Sequence, residues 1–116
     1  MTRAERELLR GAGPVAVLRL LSTREMYGYE LAAAIDRQSE GVLAMGQSTL
    51  YPLLYNLESK GLVRSRREER DGARPRRYYA ITAAGRRWLE GRSREWRALG
   101  RAMRLLGILT PSKGSV

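Results

Sequence analysis

Between residues 62 and 81 the spacing of apolar residues changes from that of helices to that of strands, and this change constrains the fold more than any other feature. Two segments of strand length, residues 62–67 and 76–81, flank residues 68–75. The intervening segment contains Asp71-Gly72, a dipeptide that favours the tight turns of β-hairpins. The sequence therefore predicts a β-hairpin, and its residues 64–77 contain seven arginines and three acidic residues.

Helical patterns precede the hairpin. Residues 11–14 read as a short arm, with Pro14 in the first turn of a buried helix that ends near Leu21, because a proline nitrogen needs no partner in a first helical turn. A short amphipathic helix is predicted over residues 30–38. Its apolar face consists of Leu31, Ala32 and Ile35.

A third helix is predicted over residues 48–60, with Ser48 as its N-cap and Gly61 as its C-terminal stop. After the hairpin, Thr82 is expected to cap a long helix that continues to about Leu106. Residues 108–116 are expected to form a disordered tail.

The order of three helices, a hairpin and a long helix indicates a winged helix-turn-helix. We therefore expect an α+β, mostly α fold. Residues 1–82 would form the DNA-binding domain, and residues 83–107 a C-terminal dimerisation helix. In such folds the second helix of the helix-turn-helix pair enters the major groove of DNA.

The charge is distributed unevenly along the chain. The formal net charge is +10, yet residues 1–63 contain seven basic and seven acidic side chains, whereas residues 64–116 contain fifteen and five. A basic surface on one side of a small protein indicates nucleic-acid binding. The alternative is a solvated surface on which arginine replaces lysine.

The composition excludes several chemistries. The chain has no cysteine and no histidine, which removes disulfides, the usual zinc sites and histidine acid/base catalysis. No segment approaches the roughly 20 apolar residues of a membrane span, and no signal peptide is evident. We expect a cytoplasmic protein with no enzymatic activity, no cofactor, no metal and no membrane partner.

The DNA-contacting residues are predicted from the third helix and the hairpin. The exposed face of the helix would present Gln47, Ser48, Thr49, Tyr51, Tyr55 and Asn56, none of them basic. Either tyrosine could instead belong to a half-buried stripe. Arg74, Arg76 and Arg77 follow the hairpin turn and are expected to contact the DNA backbone or the minor groove. A solvated charged loop is the alternative.

The last helix carries apolar residues at heptad spacing, which indicates a packing partner. We call this row the seam; a second copy of the chain is the expected partner, with folding back onto the first helix as the alternative. A two-fold dimer would suit a palindromic operator. The seam consists of Leu89, Trp96, Leu99, Met103 and Leu106, with Arg92 at the remaining heptad position.

Three motifs together resemble the PadR family of bacterial transcriptional regulators, in its small subfamily with one C-terminal dimerisation helix. They are Tyr27-Gly28-Tyr29-Glu30-Leu31, Ser48-Thr49-Leu50-Tyr51-Pro52-Leu53-Leu54 with Leu57-Glu58-Ser59-Lys60-Gly61-Leu62-Val63, and Arg76-Arg77-Tyr78-Tyr79-Ala80-Ile81-Thr82-Ala83-Ala84-Gly85.

The resemblance implies a homodimeric winged-helix repressor of nearby genes, such as those for transport or multidrug efflux. It also implies that Trp96 and its symmetry mate line a central pore that senses planar aromatic molecules, with Val15 and Leu18 facing it. Gly13-Pro14 departs from the more polar first helix of drug-sensing members. A non-specific basic protein that binds RNA or coats DNA is the competing interpretation.

Overall fold

Seven elements of secondary structure make up the fold in a computed structural model, which describes residues 3–109, except for the side chains of residues 5, 6, 8 and 9. In chain order these are α1 (Arg3–Leu21), β1 (Met26–Tyr27), α2 (Gly28–Gln38), α3 (Gln47–Ser59), β2 (Val63–Arg70), β3 (Ala73–Ile81) and α4 (Ala83–Leu105). The strands form one antiparallel sheet in the order β1-β3-β2. The predicted winged helix-turn-helix with a long last helix is confirmed.

The core lies between the first three helices, the base of the hairpin and the first turns of α4. The helices contribute apolar faces at helical spacing, which remove those side chains from water. The hairpin contributes residues only at its base. The fully buried side chains are Val17, Leu18, Leu21, Leu31, Ile35, Leu50, Leu54 and Val63.

The predicted arm at residues 11–14 is wrong, because these residues lie inside α1 and Pro14 occupies the helix interior. A proline there removes one backbone hydrogen bond, so packing must favour the continuous helix. Gly13 is buried, and a Cβ at this position would lie 3.4 Å from both Leu53 Cδ2 and Met45 Cε. Tertiary contact therefore holds α1 together across Pro14.

Two helix starts differ from the predictions by one or two residues. Helix α2 begins at Gly28, because the Glu30 carboxylate accepts a hydrogen bond from the Tyr27 backbone N–H at 3.2 Å. Helix α3 begins at Gln47 with Gly46 as its N-cap, and the Gly46 carbonyl accepts from Leu50 N at 2.9 Å. Ser48 is therefore not the N-cap but a residue of the first turn, with an exposed side chain.

The hairpin strands run through most of the predicted loop and leave only a two-residue turn at Asp71 and Gly72. Gly72 has φ +66°, a conformation that glycine adopts without strain. Arg70 pairs with Ala73 and Glu68 pairs with Arg76, so the two residues 74 and 75 oppose the single residue 69. This is a β-bulge on β3. Pro75 suits the bulge because it has no N–H to contribute to the ladder.

Helix α4 begins as predicted, since the Thr82 hydroxyl accepts from Gly85 N at 3.0 Å and donates to the Gly61 carbonyl at 2.6 Å. Gly85 is buried at this junction, where a Cβ would lie 2.7 Å from Ile81 Cγ1 and would also clash with the Leu62 backbone. Past its first turns α4 leaves the core.

No helix within residues 3–109 is long and apolar enough to cross a bilayer. Of the tail predicted to be disordered, residues 110–116 lie outside the described residues, and Ile108 and Leu109 are exposed. The predicted division at residues 82 and 83 stays a prediction.

Candidate nucleic-acid interface

Helix α3 presents a polar face without basic residues. Its opposite face buries Leu50, Leu54 and Leu57 in the core, which fixes the rotation of the helix. The structure places all six predicted contact residues on the solvent side. They are Gln47, Ser48, Thr49, Tyr51, Tyr55 and Asn56. Amides and hydroxyls of this kind hydrogen-bond phosphates, and Gln or Asn can read an adenine edge.

The two tyrosines of this face are not equivalent. Tyr55 is 74% exposed, whereas Tyr51 is 42% exposed. The Tyr51 ring covers the first turn of α2, where a Cβ at Gly28 would lie 2.8 Å from Tyr51 Cζ. Gly28 therefore permits a close approach that any other residue would prevent. Tyr51 contributes to packing between α2 and α3, and Tyr55 is available to a ligand.

The wing, which we define as β2, the Asp71–Gly72 turn and β3, extends beside α3. Arg74 lies in its bulge with an exposed side chain. Its backbone carbonyl accepts two hydrogen bonds from the Arg70 guanidinium, at 2.9 Å from Nε and 2.7 Å from Nη2. The Arg70 side chain therefore satisfies the backbone carbonyl of the bulge and stiffens the end of the wing. The Arg74 guanidinium itself faces solvent.

Arg67 and Arg77 lie directly opposite each other on neighbouring strands. Like charges in this arrangement destabilise a sheet, and the Glu69 carboxylate offsets part of this repulsion because it accepts a hydrogen bond from Arg67 Nε at 2.9 Å. The Arg77 guanidinium donates to Ser65 Oγ at 3.0 Å, and Ser65 Oγ donates to the Glu58 carboxylate at 2.7 Å. These two bonds connect the wing to the C-terminal turn of α3. A shallow depression of about 280 Å³ is lined by Arg67, Arg74, Pro75, Arg76 and Arg77.

Arg76 is held differently from the other two predicted wing residues. Its guanidinium lies 4.1 Å from the centre of the Tyr27 ring, a cation–π contact, and the residue is half-buried. Tyr27 in turn meets Tyr78 edge-on at 5.6 Å between ring centres. The structure thus brings Arg74 and Arg77 to the exposed surface of the wing, whereas Arg76 packs against β1.

Arg66 completes the attachment of the wing to β1. It pairs with Glu25 through both carboxylate oxygens, at 2.5 and 3.2 Å, and its guanidinium lies 4.7 Å from the centre of the Tyr78 ring. The hydrogen bonds from Arg66 hold the pKa of Glu25 below its ordinary value, although partial desolvation opposes this shift. On the other face of the sheet, burial raises the pKa of Tyr79, so its phenol is neutral at physiological pH.

The sequence predictions missed Arg67 and the whole of β1. The pairing of Arg67 with Arg77 depends on the bulge, because a hairpin without it would place Arg67 opposite Arg76. Pro75 was the available signal, since a proline inside a strand indicates a bulge or an edge. A two-residue strand such as β1 gives no periodic pattern to detect.

The seam of α4 is only partly covered within the chain. Leu89 is buried in the core, but Trp96 is 39% exposed, Leu99 is 52% exposed and Leu106 is 75% exposed. Met103 is half-buried. A groove of about 240 Å³ beside the tryptophan is lined by Gly11, Arg92, Glu95, Trp96 and Leu99.

The two residues predicted from the resemblance to face this tryptophan pack into or against the core of the single chain. Leu18 is fully buried in the core and Val15 packs half-buried against it. Gly11 is the residue of α1 opposite Trp96, where a Cβ would lie 3.8 Å from Trp96 Cζ2.

Three features together define a winged-helix DNA-binding regulator. They are a recognition helix with a polar face, a basic wing, and a long helix with an exposed apolar seam. The chain belongs to the transcriptional regulator PadR-like family, whose family model matches residues 17–91. The predicted family is therefore confirmed. The chain is a DNA-binding transcriptional regulator and not an enzyme.

Individual relatives agree with this assignment. The chain is 31% identical over 88 residues to the transcriptional regulator YqjI of Escherichia coli K12, with 76% of this chain and 41% of the relative covered. It thus spans about two fifths of that protein. A PadR family transcriptional regulator from Eggerthella lenta is 33% identical with TM-score 0.76, over 90% of this chain and 88% of the other. A transcriptional regulator from Clostridium thermocellum is 26% identical with TM-score 0.77, over 84% and 95%.

Proposed function

We propose that this chain is a homodimeric repressor that recognises a palindromic operator near its own gene. The observation that carries the proposal is the position of the polar α3 face beside the exposed arginines of the wing. The face offers Gln47 and Asn56 for base edges, and the wing supplies Arg67, Arg74 and Arg77 for phosphates. Sequence choice therefore comes from α3, and most of the electrostatic affinity comes from the wing.

The homodimer is supported by the seam. Trp96, Leu99 and Leu106 expose apolar surface along one side of α4, and burial of such surface is the main favourable term in association. A second copy would supply an identical seam, and its two-fold axis would place two α3 helices on successive half-sites of one duplex.

Footprinting and competition test the operator. A footprint on the protein's own promoter should protect two symmetric half-sites, and the promoter fragment should outcompete bulk DNA and RNA. Gln47→Ala should weaken promoter binding about tenfold or more, because a good base contact contributes about 1–3 kcal/mol. Gln38→Ala removes an exposed glutamine at the end of α2 and should change nothing. Equal affinity for promoter, bulk DNA and RNA would favour the non-specific nucleic-acid-binding protein instead.

Sedimentation tests the dimer. Leu99→Glu places a charge on the seam and should yield monomers. Ala98→Glu adds the same charge at an exposed position of α4 one residue away, off the seam, and should leave the dimer intact. A monomeric wild-type protein, or a Leu99→Glu protein that is still dimeric, would contradict the assignment of the seam.

A ligand site at Trp96 is supported by the apolar groove beside it. We assign to this groove a planar aromatic molecule that relieves repression, which suits control of transport or drug-efflux genes. Trp88 is the second tryptophan, half-buried with Arg92 stacked 4.6 Å from its ring centre. An acridine dye titrated into Trp88→Phe protein should quench the remaining fluorescence. A Trp96→Ala dimer that binds the dye equally well would end the ligand assignment.

A further inference from the structure

Helix α4 carries a row of arginines on the side opposite the seam. At about 100° per residue the row occupies an arc of roughly 100°, and the seam occupies the opposite arc. All side chains of the row are exposed. A dimer formed through the seam therefore leaves the row accessible. We call the row the outer face of α4; it consists of Arg87, Arg94, Arg97, Arg101 and Arg104.

The outer face is electrostatically unfavourable in the isolated chain. Helix α4 contains seven arginines and two glutamates. Both glutamates are engaged, Glu90 with Arg94 at 3.2 Å and Glu95 with Arg92 at 2.9 Å. The remaining arginines of α4 have no carboxylate within 4 Å among the described side chains. Like charges three and four residues apart destabilise a helix, so this face is complementary to a polyanion.

A groove beside the outer face adds donors from a second helix. It has a volume of about 610 Å³ and lies between the C-terminal end of α1 and the first half of α4. Guanidinium groups and hydroxyls from two helices form the kind of donor set that binds phosphate oxygens. Glu90 also lines the groove, but it is paired with Arg94. The Ser22 hydroxyl already donates to the Arg19 carbonyl, so the side chains available to donate to a phosphate are Arg19, Arg86, Arg97 and Ser93.

We propose that the outer face of α4 and the adjoining groove bind the phosphate backbone of a second DNA duplex. From Arg87 to Arg104 the row measures about 25 Å, the length of about seven base pairs. A compact anion would occupy the groove alone, whereas an extended backbone engages the whole row. The outer face shares no residue with α3 or the wing. One protein bound to its operator thus bridges that operator to another DNA segment.

A capture assay tests the bridge. Protein is tethered to beads through a terminal tag, saturated with an unlabelled promoter duplex and washed, and a fluorescent 30-base-pair duplex of unrelated sequence is added. Wild-type protein should retain the second duplex. The triple variant Arg94→Gln, Arg97→Gln and Arg101→Gln should retain at least tenfold less, while its promoter affinity stays within twofold. Its thermal midpoint should stay close to that of wild type, because the removal of like charges offsets the loss of the Glu90–Arg94 pair.

Two control proteins isolate the outer face. The triple variant Arg10→Gln, Arg24→Gln and Arg37→Gln removes the same charge from exposed positions outside α4 and should capture within twofold of wild type. The wing variant Arg74→Gln and Arg77→Gln should lose promoter binding but still capture the labelled duplex. This second control separates failure of the outer face from failure of operator recognition.

Three results would overturn the proposal. Wild-type protein that captures no second duplex has no such surface. If the two triple variants lost capture of the second duplex equally, the effect would come from net charge and not from the outer face. If poly-glutamate competed as effectively as DNA at equal charge concentration, the outer face would be assigned to an acidic protein partner.

Discussion

Replacement of Arg74 and Arg77 by glutamine should flatten the salt dependence of DNA binding. Each wing exposes three arginines, Arg67, Arg74 and Arg77, so the proposed dimer would offer six phosphate contacts. For six contacts the logarithm of the binding constant falls by about 5 for each tenfold increase in salt concentration. The double variant keeps two contacts and should show a slope of about −2. Its affinity in 0.1 M salt should be lower by roughly 10³-fold.

Fluorescence anisotropy over 0.05–0.3 M salt measures both slopes, with the promoter duplex and with an unrelated duplex. Measured in the triple variant Arg94→Gln, Arg97→Gln and Arg101→Gln, which lacks the outer face of α4, the two duplexes should lose affinity together, because phosphate contacts carry no sequence information. Arg10→Gln with Arg37→Gln removes the same charge from exposed positions outside the wing and should leave the slope near −5. Arg76→Gln should change the slope less than either wing arginine does, since its guanidinium covers Tyr27.

Two outcomes would refute this reasoning. A loss confined to the promoter duplex would mean that the wing reads sequence and does not merely hold the backbone. An unchanged slope in the double variant would mean that Arg74 and Arg77 contact no phosphates, and that the basic charge of the second half of the chain acts elsewhere.

Three further predictions concern stability. Gly85→Ala should lower the free energy of unfolding by about 1–3 kcal/mol, because its Cβ would overlap the hairpin base. Gly91→Ala should raise the free energy of unfolding by about 1 kcal/mol, since its Cβ would meet no atom closer than 3.8 Å. Equal effects of the two variants in urea titrations would contradict this. At pH values above 4.5, the ordinary pKa of this carboxyl, Glu25→Gln should lower the thermal midpoint. The difference between the two proteins should vanish as the pH falls through the lowered pKa of Glu25 in the folded protein. A difference that does not depend on pH would mean that the ion pair is not its source. Tyr55→Ala should weaken DNA binding and leave unfolding within about 0.5 kcal/mol, whereas Tyr51→Ala should destabilise the fold by about 2 kcal/mol; the reverse pattern would exchange their roles.

Local signals in the sequence were sufficient to predict the order of the helices and the hairpin and the orientation of α3. A helical apolar period, the threonine cap at Thr82 and the Asp71-Gly72 turn each depend on neighbouring residues, so they can be read without the fold. The same period separates the buried leucines of α3 from its polar face, and the six predicted contact residues are indeed exposed. The heptad spacing of the seam is local information of the same kind.

Contacts between distant segments decided the remaining features. Pro14 reads locally as a helix start, yet α1 continues through it because Gly13 packs against Leu53 and Met45. Arg76 reads as one of three equivalent arginines, but its guanidinium packs on the ring of Tyr27, which lies some fifty residues earlier in the chain.

The wing depends on both kinds of information. The sequence determined that residues 63–81 form an arginine-rich hairpin around Asp71-Gly72. The structure decided which arginines share a face, through the bulge that opposes Arg74 and Pro75 to Glu69. Side chains alternate between the two faces of a strand, so a shift of one residue moves every side chain to the other face. The register that brings Arg67 beside Arg77 is therefore a property of the paired strands and not of either segment alone.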